Sequence, residues 1–402
     1  MARSSASSSA RPAEGGGGAS PARVYLDYAG FSPVDPRVIA LMRPFLEGGV
    51  GNPSALHSLG LEARASLDGA RAKVARLFGG AIPGVVFTAS ATEANNLALK
   101  GLARRAAGRH VVTSAIEHVS VLNACKELEQ HGWRVTAVGV DGAGRVDPEA
   151  VARALADDTA LVSIGAASGE VGTVQPFREI GRAARARGVP FHVDGVGAVG
   201  RVPLNVEECL IDLLTLSSND LYGPPGAGAL WARAEVKLAP VIVGGGQEAG
   251  YRSGTENLPA IVGMGVAADF MRLEGAAEVA RLRGLRDRLL AGLVEHVPGA
   301  RVTGATGPER VPHHASIVVP GVKADAVLME LDLRGVAAAS GSACNQLTGE
   351  PSHVLRALGL ARDDAEGSLC FTFGRWTTPA EIDVVLEAVP AVVSRLRRLA
   401  PR

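Results

Sequence analysis

From about residue 35 onward, short apolar runs alternate with longer stretches whose apolar residues recur at helical spacing, a pattern that predicts βα units around a mostly parallel sheet. Val85-Val86-Phe87-Thr88, His110-Val111-Val112-Thr113, Leu161-Val162-Ser163-Ile164 and Pro190-Phe191-His192-Val193-Asp194 read as short buried strands. Helical patterns lie between them, over residues 92–106, 120–130, 148–156 and 177–187. A further helix over 56–78 stops at Gly79-Gly80, a helix-end signal. The C-terminal helices, including 380–399, read as a second lobe. The expected division is a tail over 1–23, a large α/β domain over 24–260 and a smaller C-terminal domain over 261–402, with no internal repeat.

Composition narrows the function classes. The 402 residues are 47% hydrophobic and carry a formal net charge of zero, so a large core is available while nothing favours nucleic acid or an anionic membrane. No run of 18 apolar residues predicts a membrane span. Residues 1–23, rich in Ser, Gly and Ala, read as a disordered tail. A targeting peptide is the alternative, against which stand the missing apolar core and Glu14. Cys125, Cys209, Cys344 and Cys370 form no CxxC pair, so neither a disulfide framework nor a zinc site is indicated, and a reducing, cytoplasmic setting is expected.

Several motifs then carry a resemblance. Val24-Tyr25-Leu26-Asp27-Tyr28-Ala29, Gly51-Asn52-Pro53-Ser54, Ala91-Thr92-Glu93-Ala94-Asn95-Asn96, Glu117-His118 and His192-Val193-Asp194 follow one another in order. Gly244-Gly245-Gly246-Gln247-Glu248, Arg252-Ser253-Gly254-Thr255-Glu256-Asn257, Ser340-Gly341-Ser342-Ala343-Cys344, Glu350-Pro351-Ser352-His353 and Gly374-Arg375-Trp376-Thr377-Thr378 complete the series. Each run alone is weak; the order and spacing resemble the cysteine desulfurases, of the pyridoxal-phosphate-dependent class V aminotransferase superfamily. The resemblance implies the aspartate aminotransferase-like fold, a mostly parallel large domain with a smaller α+β C-terminal domain.

It also implies roles. Asp194 would face the pyridinium nitrogen and His118 would stack on the ring, whereas the residues alone also allow a strand-end Asp capping a turn and an ordinary helix-start His. Thr92, opening a helix after a strand, can offer its N–H and hydroxyl to a phosphate, as any such turn can. Ser217 and Thr255 match the other phosphate contacts, Thr255 across a homodimer interface. Cys344, in a small-residue loop, matches the thiol that carries sulfur as a persulfide; a thiolate there could also ligate an iron–sulfur cluster shared with a scaffold or sulfur-acceptor protein. Cys125 and Cys209 lie in apolar surroundings and read as core.

Five positions depart from the family pattern. Asp220, in Ser217-Ser218-Asn219-Asp220-Leu221-Tyr222-Gly223-Pro224, stands where the lysine would form the aldimine, and Asn219 replaces the adjacent histidine. Gly197 replaces a glutamine, Ser168-Gly169 an Asn-Asn pair, and Cys370 the arginine that binds the substrate carboxylate. The five lysines, at 73, 100, 126, 237 and 323, lie in no equivalent motif. A carboxylate about 5 Å from a cofactor phosphate would cost about 3 kcal/mol at an effective dielectric near 20, a penalty that a protonated Asp220 would avoid. The expectation is a protein of sulfur transfer and iron–sulfur assembly with lost or weak desulfurase activity. Two alternatives stay open: an active desulfurase holding pyridoxal phosphate noncovalently, and a noncatalytic structural or regulatory subunit.

Overall fold

The computed structural model describes residues 23–48, 51–341 and 352–399. Nearly all of the N-terminal stretch read as a tail, and the predicted thiol Cys344, lie outside the described residues. In chain order the large-domain elements are β1 (Val24–Tyr25), α1 (Pro36–Leu46), α2 (Ser58–Phe78), β2 (Val85–Thr88), α3 (Ala91–Asn96), β3 (His110–Ser114), α4 (Val119–Gln130), β4 (Arg134–Val138), α5 (Pro148–Ala154), β5 (Thr159–Ser163), α6 (Phe177–Ala186), β6 (Phe191–Asp194), β7 (Leu213–Ser217) and β8 (Gly228–Ala232). Then come α7 (Leu258–His296), β9 (Arg301–Val302), β10 (His314–Val318), α8 (Ala324–Asp332), β11 (Val336–Ala337), α9 (His353–Ala357), α10 (Arg362–Ala365), β12 (Ser368–Thr372) and α11 (Pro379–Leu399).

The main sheet has seven strands in the order β2-β8-β7-β6-β5-β3-β4, with only β8 antiparallel to its neighbours. Its central strands are apolar on both faces because helices cover both sides. Val112, Val162, Val193 and Leu214 point into a core shared with α2 and the first turns of α7. Their neighbours Val111, Leu161 and Leu213 point the other way, into a cluster with Leu97, Val121 and Leu128.

A second core gathers Leu282–Leu293 of α7, β10, β12, α8 and α11. Its sheet is β12-β10-β9, antiparallel. Val24 and Leu26 also join this core, because β1 pairs in parallel with β11. The 39-residue helix α7 therefore runs from one core into the other.

The helix expected over 92–106 is not one regular element. It runs as α-helix to Asn96 and as π-helix over Leu97–Gly101. Asn96 Nδ2 donates to Thr92 O at 2.9 Å, giving that carbonyl a side-chain partner that competes with the regular ladder.

Candidate cofactor-type site

The C-terminal ends of parallel strands are where α/β sheets collect ligand groups, and the candidate residues lie along that edge. Asp194 ends β6 and is 8% exposed. Its Oδ2 accepts from Asn95 Nδ2 at 2.7 Å and its Oδ1 from the Val196 N–H at 3.1 Å. Asn95 Nδ2 also donates to Ser120 Oγ at 2.9 Å, and that hydroxyl lies 2.7 Å from His118 Nδ1. Three elements, α3, α4 and β6, thus close a chain from His118 through Ser120 and Asn95 to Asp194.

His118 is the N-cap of α4, its Nδ1 accepting from the Ser120 N–H at 3.2 Å, and the residue is exposed. With Nδ1 accepting, the N–H of the ring lies on Nε2. Burial raises the Asp194 carboxyl and the nearby Asp220 raises it further, while the bonds from Asn95 and Val196 and the charge of His118 pull it down; the net direction is upward. Each Asp194 oxygen holds one donor and keeps acceptor capacity for another.

The structure gives Asp220 a charged partner that the sequence did not reveal. Its Oδ1 lies 3.0 Å from Arg201 Nη1, its Oδ2 accepts from the Gly197 N–H at 3.0 Å, and its carbonyl accepts from Arg201 Nη2 at 2.7 Å. The Arg201 side chain is 2% exposed and that of Asp220 is 14% exposed, so the ion pair is sunk with the carboxylate toward the opening. Gly197 has φ +79°, which suits a residue without a Cβ, and its N–H is thereby aimed at Asp220. The penalty attached to a lone carboxylate is removed because a guanidinium from the β6–β7 connection neutralises it.

The turn that carries Asp220 is held rigidly. Asn219 exchanges two bonds with Ser32, Nδ2 to O at 2.8 Å and Oδ1 from N at 3.0 Å. Tyr222 sits in the left-handed region at φ +64°. Its hydroxyl is 2.5 Å from Glu278 and accepts from the Arg375 N–H at 3.1 Å, while Arg201 lies 5.6 Å from the ring centroid. Arg375 continues the network to Asp35 and Glu278 at 2.6 and 3.0 Å. These contacts over-determine an otherwise strained residue beside Asp220.

Ser217 ends β7 in register with Gly228, which is itself in register with Thr88, the last residue of β2. A Cβ on Gly228 would stand 2.5 Å from Ser90 C, so that glycine permits the strand end to approach the start of α3. Ser90, not Thr92, caps α3, its Oγ accepting from the Glu93 N–H at 3.2 Å; Thr92 is exposed in the first turn. Thr255 is exposed just before α7.

The positions of the replaced substrate-side residues are joined through one histidine. His314 Nε2 lies 3.2 Å from Cys370 Sγ and 3.0 Å from Gly169 O, linking β10 and β12 to the loop at Ser168. Burial pushes the Cys370 thiol up to about 12 and, with Arg310 adding, holds His314 down to about 3. Both are neutral at pH 7, and the cation beside them, Arg310, is turned to the carbonyls of Thr303, Ala305 and His314. Ser168 is buried and its N–H bonds the carbonyl of Thr173 at 2.9 Å, a turn that keeps Glu170 inward. Burial raises Glu170 to about 7, and the Ser352 hydroxyl donates to its carboxylate.

Arg201 and Ser120 went unnoticed in the sequence, and Asn95 and Glu117 stood in quoted motifs without a role. Glu117 adjoins His118, is 4% exposed, and burial raises it to about 7 despite bonds from Ser114 and the Gly165 N–H. Asn95 is the fifth residue of the helix that follows β2, close enough to its start for that position to be a usable signal. Among the described residues no group of His, Cys, Asp and Glu is placed to hold a metal ion.

Comparison with known proteins agrees with this architecture. The profile of the family described as Aminotransferase class-V matches residues 24–385. Cysteine desulfurase IscS 1 of Archaeoglobus fulgidus is 44% identical over 380 residues, 94% of this chain and 98% of that protein. Cysteine desulfurase IscS of Anaeromyxobacter sp. is 43% identical over 383 residues, 94% of each chain. Among solved structures, a NifS-like protein superposes with TM-score 0.86 at 33% identity, covering 93% of this chain and all of the other. The structure described as SspA in complex with cysteine superposes with TM-score 0.78 at 33% identity, over 88% of this chain and 99% of that one. The fold is that of the pyridoxal-phosphate-dependent transferases of the aspartate aminotransferase type.

Proposed function

The chain belongs to the class-V aminotransferase family and, within it, to the cysteine desulfurases, and on that premise we propose that it works in sulfur transfer for iron–sulfur assembly without a covalently held cofactor of its own. The observation that carries this reading is the buried Asp220–Arg201 pair at the position of the cofactor lysine. The ring half of a pyridoxal phosphate site is supported by the chain from His118 to Asp194, where Asp194 retains acceptor capacity for a pyridinium N–H. The linking half does not fit: Asp220 has no nucleophilic nitrogen, and the surrounding Gly197, Arg201 and Asn219 supply none. No step is therefore routed through a bound cofactor.

In this reading Thr92, Ser217 and a Thr255 contributed across a homodimer would hold a phosphate, and Cys344 would carry persulfide sulfur or serve as a cluster ligand toward a scaffold or acceptor protein in the cytoplasm. The neutral Cys370–His314 wall supports the loss of cysteine recognition, since the cation beside it, Arg310, is turned to backbone carbonyls rather than to a substrate carboxylate. The intact Asp194 chain favours a second reading, a slow desulfurase with noncovalent pyridoxal phosphate. Borohydride treatment of the purified protein followed by mass spectrometry, together with cysteine-dependent sulfide release, separates them. No phosphopyridoxyl lysine and background sulfide are expected; turnover at a rate ordinary for a desulfurase would overturn the proposal.

A further inference from the structure

The side chain at position 220 is the one that would meet the C4′ substituent of a pyridine ring seated against Asp194, and its chemistry decides which substituent is welcome. We propose that this pocket selects the amine form of the cofactor, pyridoxamine 5′-phosphate, over the aldehyde form. The inference rests on the reading that the Asp194 pocket still takes the ring.

Donor and acceptor arithmetic carries it. A carboxylate is acceptor-only, with about four lone-pair positions. Asp220 spends one on the Gly197 N–H and faces Arg201 Nη1 at 3.0 Å as an ion pair, which leaves acceptor capacity on a side chain 14% exposed toward the opening. An aldehyde oxygen is also acceptor-only, so pyridoxal phosphate would set two acceptors against each other in a partly desolvated site. An aminomethyl group is protonated at neutral pH and brings three N–H donors and a positive charge. With the ring seated, its pyridinium N–H would answer Asp194, while Arg201 faces Asp220. An ammonium on C4′, across the ring from Asp194, would meet the Asp220 carboxylate with attraction, whereas a neutral aldehyde brings no charge to it.

The replaced neighbours point the same way. Gly197 and Asn219 no longer offer side chains to the ring substituents: Gly197 has none, and both ends of the Asn219 amide are engaged with Ser32. Discrimination at C4′ thus falls on Asp220.

The test is calorimetric titration of the purified, cofactor-stripped protein at pH 7.5 with pyridoxamine 5′-phosphate and, separately, pyridoxal 5′-phosphate. The amine form is expected to bind at least about tenfold more tightly. Asp220→Asn should bring the two affinities within about twofold. Because that variant leaves the Arg201 guanidinium without its counter-ion, the Asp220→Asn/Arg201→Met pair is titrated alongside and should show the same levelling. Equal or tighter binding of the aldehyde by the parent, or a preference that survives in both variants, overturns the amine selection while leaving the ring pocket intact. Binding of neither form overturns the ring pocket as well. A sulfur-relay role through Cys344 is read by transfer assays that none of these titrations touches.

Discussion

Neutralising either member of the Asp220–Arg201 pair exposes how strongly the site depends on it. At 3.0 Å and an effective dielectric near 20 the gross attraction is about 5 kcal/mol, and desolvation of two buried ions takes back much of it. Removing one partner is the costly event, because the other charge stays buried alone. In Asp220→Asn, Arg201 cannot shed its proton and keeps only the carbonyl of residue 220 and the Tyr222 ring face, so a loss of about 3 kcal/mol is expected. In Arg201→Met, Asp220 keeps the Gly197 N–H and partial access to water, and the expected loss is about 2 kcal/mol. The double variant should lose about 3 kcal/mol in total, not about 5, which gives a coupling near 2 kcal/mol. Urea unfolding of all four proteins, followed by circular dichroism with the slopes compared, measures this. A coupling within about 0.5 kcal/mol of zero would show that the two side chains are neighbours without being partners, and the ionic account of the lysine position would fail.

Restoring lysine alone should not restore the enzyme: Asp220→Lys sets an ammonium beside Arg201, so cysteine-dependent sulfide release should stay near background and the urea midpoint should fall; turnover near that of an ordinary desulfurase would contradict this. Gentle alkylation followed by peptide mass spectrometry should label Cys344 first, because burial pushes the Cys125 and Cys370 thiols up to about 12 and Cys209 is also buried. Cys344→Ser should abolish persulfide or cluster transfer while the protein stays folded; undiminished transfer would mark the thiol as incidental. Glu170 has a folded pKa raised from 4.5 to about 7, so the folded state binds the extra proton, and the stability this confers is complete below about pH 4.5 and lost as pH rises through 7. Glu170→Gln should therefore flatten the stability profile between those pH values by up to about 3 kcal/mol in denaturant titrations, and an unchanged slope would count against a buried, protonated Glu170.

The sheet was legible because its central strands are apolar on both faces, so that Val111-Val112 or Leu161-Val162 register as continuous runs. Strand β8 left a weaker trace, since Gly228 has no side chain and serves close packing against Ser90. The break at Asn96 was hidden because its residues keep helical spacing, and what marks it is one side-chain hydrogen bond. At the site, Asp194 and His118 could be found by motif. Arg201 could not, because it precedes its counter-ion by a whole strand and connection, and nothing local in Gly200-Arg201-Val202 speaks of burial. In sequence Asp220 reads as a charge in place of a lysine; the fold supplies an arginine beside it.

Strand β1 has a consequence for how the chain is made. Val24 and Tyr25 find their partners Val336 and Ala337 roughly 310 residues later, which at ribosomal rates of about 5–20 residues per second is a wait of about 15–60 s. During that interval the large sheet can already form, while an apolar strand, with Leu26 destined for a core built from residues not yet synthesised, trails from its front edge. Nascent chains of this protein should therefore be occupied by chaperones at their amino-terminal end until the last quarter emerges, and the second core closes only when the two ends of the polypeptide meet.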